Sequence, residues 1–281
     1  MRLQEAFLAG VFIAVLSASL LPGQQEDWQT KAGGKRAFEV ASVRPDTGPF
    51  RPPLFALDAG DAFAQTNGRF SGDFALPTYI SFAYKLSLTT EQRETMLARL
   101  PKWVTEDRFD IQAKAPNERA TKDQMRLMMQ ALLAERFKLA AHFETHEVPV
   151  FTLELDKPGT LGPKLRPHAE GQPCDAPPPP GVFPGRCNLM ASDFKTLGSR
   201  DTTLSLMADA LATAGRLGRP VIDRTGLSGR FDFTFEWSPD TDTQAPSFPT
   251  ALREQLGLKL TSAKAPIQLL VVDQVERPGE N

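Results

Sequence analysis

RTGLSGRFDFTFEW, residues 224–237, reads as a tight turn running into a strand. Gly226 and Gly229 suit the positive φ such turns demand. The same Arg-Phe-Asp core stands earlier in TEDRFDIQAKA, residues 105–115. Within a strand, Arg108 and Asp110 point one way and Phe109 the other; Arg230, Asp232 and Phe231 repeat that geometry.

The flanking segments repeat too. TKDQMRLMMQALLAERF is an amphipathic helix, with Thr121 and Gln124 at capping-box spacing and Met125, Met129, Leu132 and Leu133 on one side. TTLSLMADALATAG is a second such helix, and PTALREQLGLKLTS a shorter one stopped by Gly257. ALPTYISFAYKL is helical, with Pro77 in the tolerated first turn. FEVASVRP, GRFSG and PIQLLVVDQVERP read as strands, and FKLAAHFETHEVPVFTLELDKPG as two strands parted near His146–Pro149. Arg108 and Arg230 stand 122 positions apart, Leu139 and Leu260 121, and Pro158 and Pro278 120. Such a steady offset implies an internal duplication with a long unit. The expected fold is α+β: two similar small helix-on-sheet subdomains with mixed or antiparallel strands.

The chain has 281 residues, 41% of them hydrophobic, which supports a real core. With 32 basic against 34 acidic residues there is no electrostatic case for nucleic acid. Residues 1–23 run from a short polar start into an apolar stretch, then Ser17, Ala18, Ser19, Pro22 and Gly23. That order is a secretory signal, too short for the ~20 residues a span needs. We expect cleavage near residues 19–24, no stable membrane span after it, and a periplasmic or extracellular location; an uncleaved anchor and a buried cytoplasmic helix are the alternatives. Residues 24–36 would be a linker, 37–169 the first subdomain, 170–190 a proline-rich loop and 191–281 the second subdomain.

Cys174 and Cys187 bracket that loop, with Pro177 to Pro180 between them. In an oxidising compartment a Cys174–Cys187 disulfide is expected, worth ~3 kcal/mol. A catalytic thiol, free thiols, or a Cys2His metal site with His168 are the alternatives. His142 and His146 have metal-ligand spacing for a helix, but in a strand four residues span ~13 Å, so solvent-facing histidines near a strand end are expected and no metal. Met125, Met128 and Met129 read as core, with Trp103 and Trp237 at its edges. No G-x-S-x-G elbow and no glycine-rich phosphate motif is present, so no cofactor is expected and the motifs lean against an enzyme. The Arg-Phe-Asp motifs admit an arginine–carboxylate ligand site, but the structural reading is a core phenylalanine beneath a charge pair on a solvated face.

FEVASVRP, the Pro101, Trp103 and Arg108–Ile111 segment, M-x-x-x-LLAERFKL and D-R-T-G-L-S-G-R-F-D-F together resemble a domain of unknown function expanded in soil Acidobacteria, the Solibacter paralogous family, over about residues 38–278. The resemblance implies an exported protein or extracytoplasmic domain, and carries over no catalytic residues. More loosely, each half is similar to the short N-terminal domain of secretins and TonB-dependent receptors. The reading is therefore an exported, non-enzymatic binding or interaction module for an envelope protein or small molecule. The alternatives are an extracytoplasmic hydrolase with its site between the halves, and a sensor domain related to membrane metallopeptidase receptors.

Overall fold

The computed structural model describes residues 28–61, 63–169, 171, 190–192, 195–238 and 246–279. The expected signal segment, residues 1–23, and Cys174 and Cys187 lie outside the described residues. Residues placed in the expected linker form a short helix, α1 (Trp28–Lys31).

The first sheet holds β1 (Val40–Asp46), β2 (Arg69–Ala75) and β3 (Arg108–Lys114) in the antiparallel order β1-β3-β2. Its inner face carries Val43, Phe70, Phe109 and Ile111, all buried. Against that face lie α2 (Leu76–Ala83), buried at seven of eight positions, and α5 (Lys122–Arg136), whose Met125, Met129 and Leu133 are fully enclosed. The Thr121 capping box forms as its spacing predicts: the Gln124 N–H donates to Thr121 Oγ1 at 3.2 Å and the Thr121 N–H to Gln124 Oε1 at 3.1 Å. Two further helices, α3 (Thr90–Leu97) and α4 (Trp103–Glu106), stand where the sequence reading placed none. The signal for α3 is a second capping box, Thr89 with Gln92.

The second sheet holds β5 (Leu165–Pro167), from within residues 37–169, with β6 (Ala191–Ser192), β7 (Thr196–Thr202) and β9 (Phe231–Glu236), in the antiparallel order β5-β9-β7-β6. Helix α6 (Leu204–Ala214), capped by Thr203, follows β7 as α2 follows β2. The short α7 (Phe248–Ala251) runs into a π-helical turn (Leu252–Leu256) that stops at Gly257, whose φ is 70°. Each Arg-Phe-Asp motif thus enters the central strand of its sheet. The fold is mixed α+β with mostly antiparallel sheets.

A third sheet joins the halves. The region expected to hold two strands is one, β4 (Ala140–Leu155), running unbroken through Pro149. It pairs antiparallel with β10 (Leu258–Gln274) along nearly its whole length, and near its end parallel with β8 (Val221–Asp223). Pro149 breaks nothing because of where its nitrogen faces. The Phe151 N–H donates to the Pro220 carbonyl at 2.8 Å, on the side away from β10, and Pro149 has the same parity. Pro266, opposite Glu147, has its nitrogen on the outer side of β10 by the same argument. His146 faces Ile267, its neighbour at the 121-residue offset that also separates Leu139 from Leu260.

The ribbon feeds both cores. Leu270 of β10 is buried in the first, among Phe109, Phe137 and Leu139. Leu153 of β4 is buried in the second, among Phe233, Leu256 and Leu258. The chain after β4 then presses close to the π turn. The Gly162 N–H donates to the Leu256 carbonyl at 2.9 Å, and a Cβ on Gly162 would sit 2.4 Å from backbone atoms there. Since each core depends on the other half's strand, Leu153→Ala and Leu270→Ala are each expected to destabilise a single cooperative transition by about 2–5 kcal/mol. Calorimetry checks this: two transitions, one untouched by each substitution, would sink the coupling.

Candidate functional site

The outer face of the first sheet is built in rows. Strand register sets Val40, Lys114 and Arg69 in one row and Ser42, Gln112 and Ser71 in the next. Arg44, Asp110 and Asp73 follow, then Asp46 and Arg108. A loop from β1 crosses the last two rows and is fixed there by charge. Arg51 pairs with Asp46 at 2.7 Å and with Asp110 at 3.1 Å, and its N–H donates to Asp73 Oδ2 at 3.2 Å. The Gly48 N–H, and after it the Arg51 guanidinium, hold the Asp46 carboxyl below its ordinary value. Arg108 reaches across to Asp73 at 3.2 Å rather than to Asp110 in its own motif.

The same loop is anchored again on the helix side. Arg126, fully buried and 5.7 Å from the Phe82 ring centre, donates to the carbonyls of Asp58 (2.9 Å) and Gly60 (2.7 Å). Lys122, also buried, donates to the Gly60 carbonyl at 2.7 Å and pairs with Asp58. Between its anchors the loop leaves the first two rows uncovered, and a cavity of about 450 Å³ remains. Ser42, Ser71, Gln112 and Arg69 line it, and Val40 and Leu54 add exposed apolar side chains. The Gln112 amide donates to Ser71 Oγ at 2.9 Å and to Asp110 Oδ1 at 2.7 Å, leaving its carbonyl oxygen to accept. Lys114 is occupied by Glu118 at 3.1 Å and the Asn67 carbonyl at 2.7 Å. Arg69 is exposed and has no ion pair or hydrogen bond from its guanidinium among the described residues. None of these lining residues stood out in the sequence, because Arg-x-Ser-x-Asp on alternate positions is the pattern of any solvated strand face.

The matching face of the second sheet is covered at its centre, though Arg166 and Glu236 at its margins are exposed. Asp232, 5% exposed, accepts from the Asp201 N–H at 2.9 Å and meets His168 Nδ1 at 2.6 Å. Arg230 pairs with Asp201, again on the neighbouring strand. Thr234 and Arg200 are buried beside them. The two motifs therefore share their buried phenylalanines, Phe109 and Phe231, but the aspartate of the second is not solvated. His168 continues the ladder of β5, its N–H donating to the Arg230 carbonyl at 2.8 Å.

On the ribbon, His142 near the start of β4 and His146 in its middle both face solvent, with Glu144 between them. Glu144 meets His142 Nε2 at 3.1 Å and His146 Nε2 at 2.7 Å, and His142 Nδ1 meets Asp273 of β10 at 2.8 Å. Among the described residues no group of three or more His, Cys, Asp or Glu is placed to hold a metal ion. Nor is any helix there long and apolar enough to cross a membrane.

A family model described as "Protein of unknown function (DUF3738)" matches residues 77–275. No curated protein and no solved structure matches the chain.

Two titrations test these electrostatics. The hydrogen bond to Asp273, then that to Glu144, raises the His142 pKa above 6.5, while the hydrogen bonds from His146 and His142 lower that of Glu144 below 4.5. A raised histidine stabilises fully below 6.5 and stops doing so as pH passes its folded pKa; a lowered carboxylate stabilises above 4.5 and stops as pH falls through its own. The cluster thus tightens the ribbon most between those limits. NMR titration is expected to place the His142 midpoint above 6.5, moving down in Asp273→Asn; an unmoved midpoint would remove Asp273 as the cause. Separately, burial pushes the Asp209 carboxyl on α6 up to about 7. Folding then favours its protonated form, so its cost appears as pH rises from 3.8 towards 7 and persists above. Asp209→Asn is expected to raise Tm by ~2–4 °C at pH 8 and little at pH 4; equal shifts at both would contradict this.

Proposed function

Because the chain belongs to the DUF3738 family, whose description assigns no activity, we propose its function from the site itself: it is an exported, non-enzymatic binding module that takes a small molecule on the outer face of its first sheet. One observation carries this reading. The two sheets share the order of three strands and the motif, yet one outer face buries Asp232, Thr234 and Arg200 at its centre, while the other keeps an open hollow with exposed apolar side chains, hydroxyls and a guanidinium that has no partner among the described residues. Export rests on the sequence of residues 1–23. The two-half organisation, read as an internal duplication, is supported by the matched orders β1-β3-β2 and β5-β9-β7 and by His146 lying opposite Ile267.

A hydrolase reading is favoured by one different feature, the buried His168–Asp232 pair, which has the form of a base held by its orienting carboxylate. One experiment separates the two. The purified, non-reduced chain is screened by thermal shift against cell-wall fragments, sugars, peptides and divalent metals. A ligand bound only by the folded state stabilises it by ~2.7 kcal/mol at a hundredfold excess over Kd. A shift that moves the Gln112 side-chain amide resonances, with the ligand recovered intact, is the expected result. Turnover abolished by His168→Ala would replace the binding reading with the hydrolytic one, and a flat screen over a cooperative melt would remove the small-molecule ligand.

A further inference from the structure

We infer that the cavity on the first sheet selects a short peptide with an aliphatic side chain and a free C-terminal carboxylate; this rests on the binding reading above and deepens it. The groups able to act on a ligand lie in an order. Arg69 is at the β2 side, with no partner of its own among the described residues. Ser71, Gln112 and Ser42 cross the sheet in the adjacent row. Val40, 67% exposed, stands at the far side, on β1. Strands are spaced ~4.8 Å apart, so the row from β2 to β1 spans ~10 Å, about the length of an extended N-acyl dipeptide.

Each part of that ligand meets a complementary group. A guanidinium fork matches a carboxylate in two parallel hydrogen bonds, and Arg69 is the lining cation not already neutralised, Lys114 being held by Glu118. A peptide amide needs one acceptor and one donor. The Gln112 carbonyl oxygen supplies the first, since its amide nitrogen is already committed to Ser71 and Asp110; the Ser42 hydroxyl supplies the second. An aliphatic side chain laid on Val40 covers apolar surface that the fold leaves in water. The anionic side of the sheet face is unavailable: Asp46, Asp73 and Asp110 lie under the loop and are answered by Arg51 and Arg108. A ligand is therefore directed to Arg69 by its charge and to Val40 by its side chain.

Isothermal titration of the full chain with N-acetyl-Ala-Leu, its C-terminal amide and hexanoate tests the assignment. The free peptide acid should bind at least ~10-fold more tightly than the amide, since a charge-assisted hydrogen bond is lost. Hexanoate, lacking amides, should bind more weakly as well. Arg69→Gln should weaken the acid ~10–100-fold at unchanged Tm, and Arg44→Gln, which removes the same charge from the same face outside the cavity, should not. Equal binding of acid and amide, or equal loss in both variants, overturns the carboxylate assignment while the binding reading stands. Hexanoate binding as tightly as the peptide acid overturns the peptide class. If none of the three probes binds while the broad screen finds another ligand, the class is wrong and the site is kept; if that screen is flat too, both fall.

Discussion

Neither hydrophobic core of this protein closes with residues from its own half alone. The long strands β4 and β10 pair along some fifteen residues, and each delivers a leucine to the far core: Leu270 to the first, Leu153 to the second. Leu155 and Leu258, which meet at one end of this ribbon, are separated by about a hundred residues of chain. Loop closure on that scale costs only slowly more with length, but it must happen before the contacts that repay it. The pairing of β4 with β10 is thus the constraint on which the packing of both sheets, and the location of the site, depends.

Much of the local structure was legible. Thr121 with Gln124, Thr203, Pro77 and Gly257 mark helix ends by chemistry that acts within a few residues, and the helices end there. The alternation in Arg-Phe-Asp set both central strands. What escaped was non-local. Pro149 reads as a break unless the side its nitrogen faces is known, and that follows only from the pairing with β10. The capping box at Thr89 was available in the sequence, yet α3 buries no residue and so carries no periodic apolar signal to draw attention to it. The site was least legible of all, since Ser42, Ser71 and Gln112 gain meaning from being adjacent across three strands.

The contrast between the two outer faces comes from what the chain places over them. On the first sheet, ion pairs of Arg51 hold a loop over the aspartate rows, while Arg126 and Lys122 hold its continuation on the opposite side. Pinned at both ends, that loop cannot advance over Ser42 and Gln112 without breaking charged contacts. The buried cations of α5 therefore shape a cavity they do not touch. On the second sheet Asp232, Thr234 and Arg200 are enclosed, and the motif there serves internal polar pairing.

A two-stranded ribbon with open edges on both sides is a template for pairing with other chains. Among the described residues β10 is an edge strand, and β4 has no strand neighbour beyond β10 until it meets β8 at Phe151. Pro266 and Pro149 occupy those two edges near the ribbon's middle, each turning a nitrogen without hydrogen towards the side where a foreign strand would dock. An incoming strand would find an interrupted row of donors on either edge. The residues that made the ribbon hard to foresee thus give it a defence against assembling with copies of itself, while the span that joins the halves stays open to water.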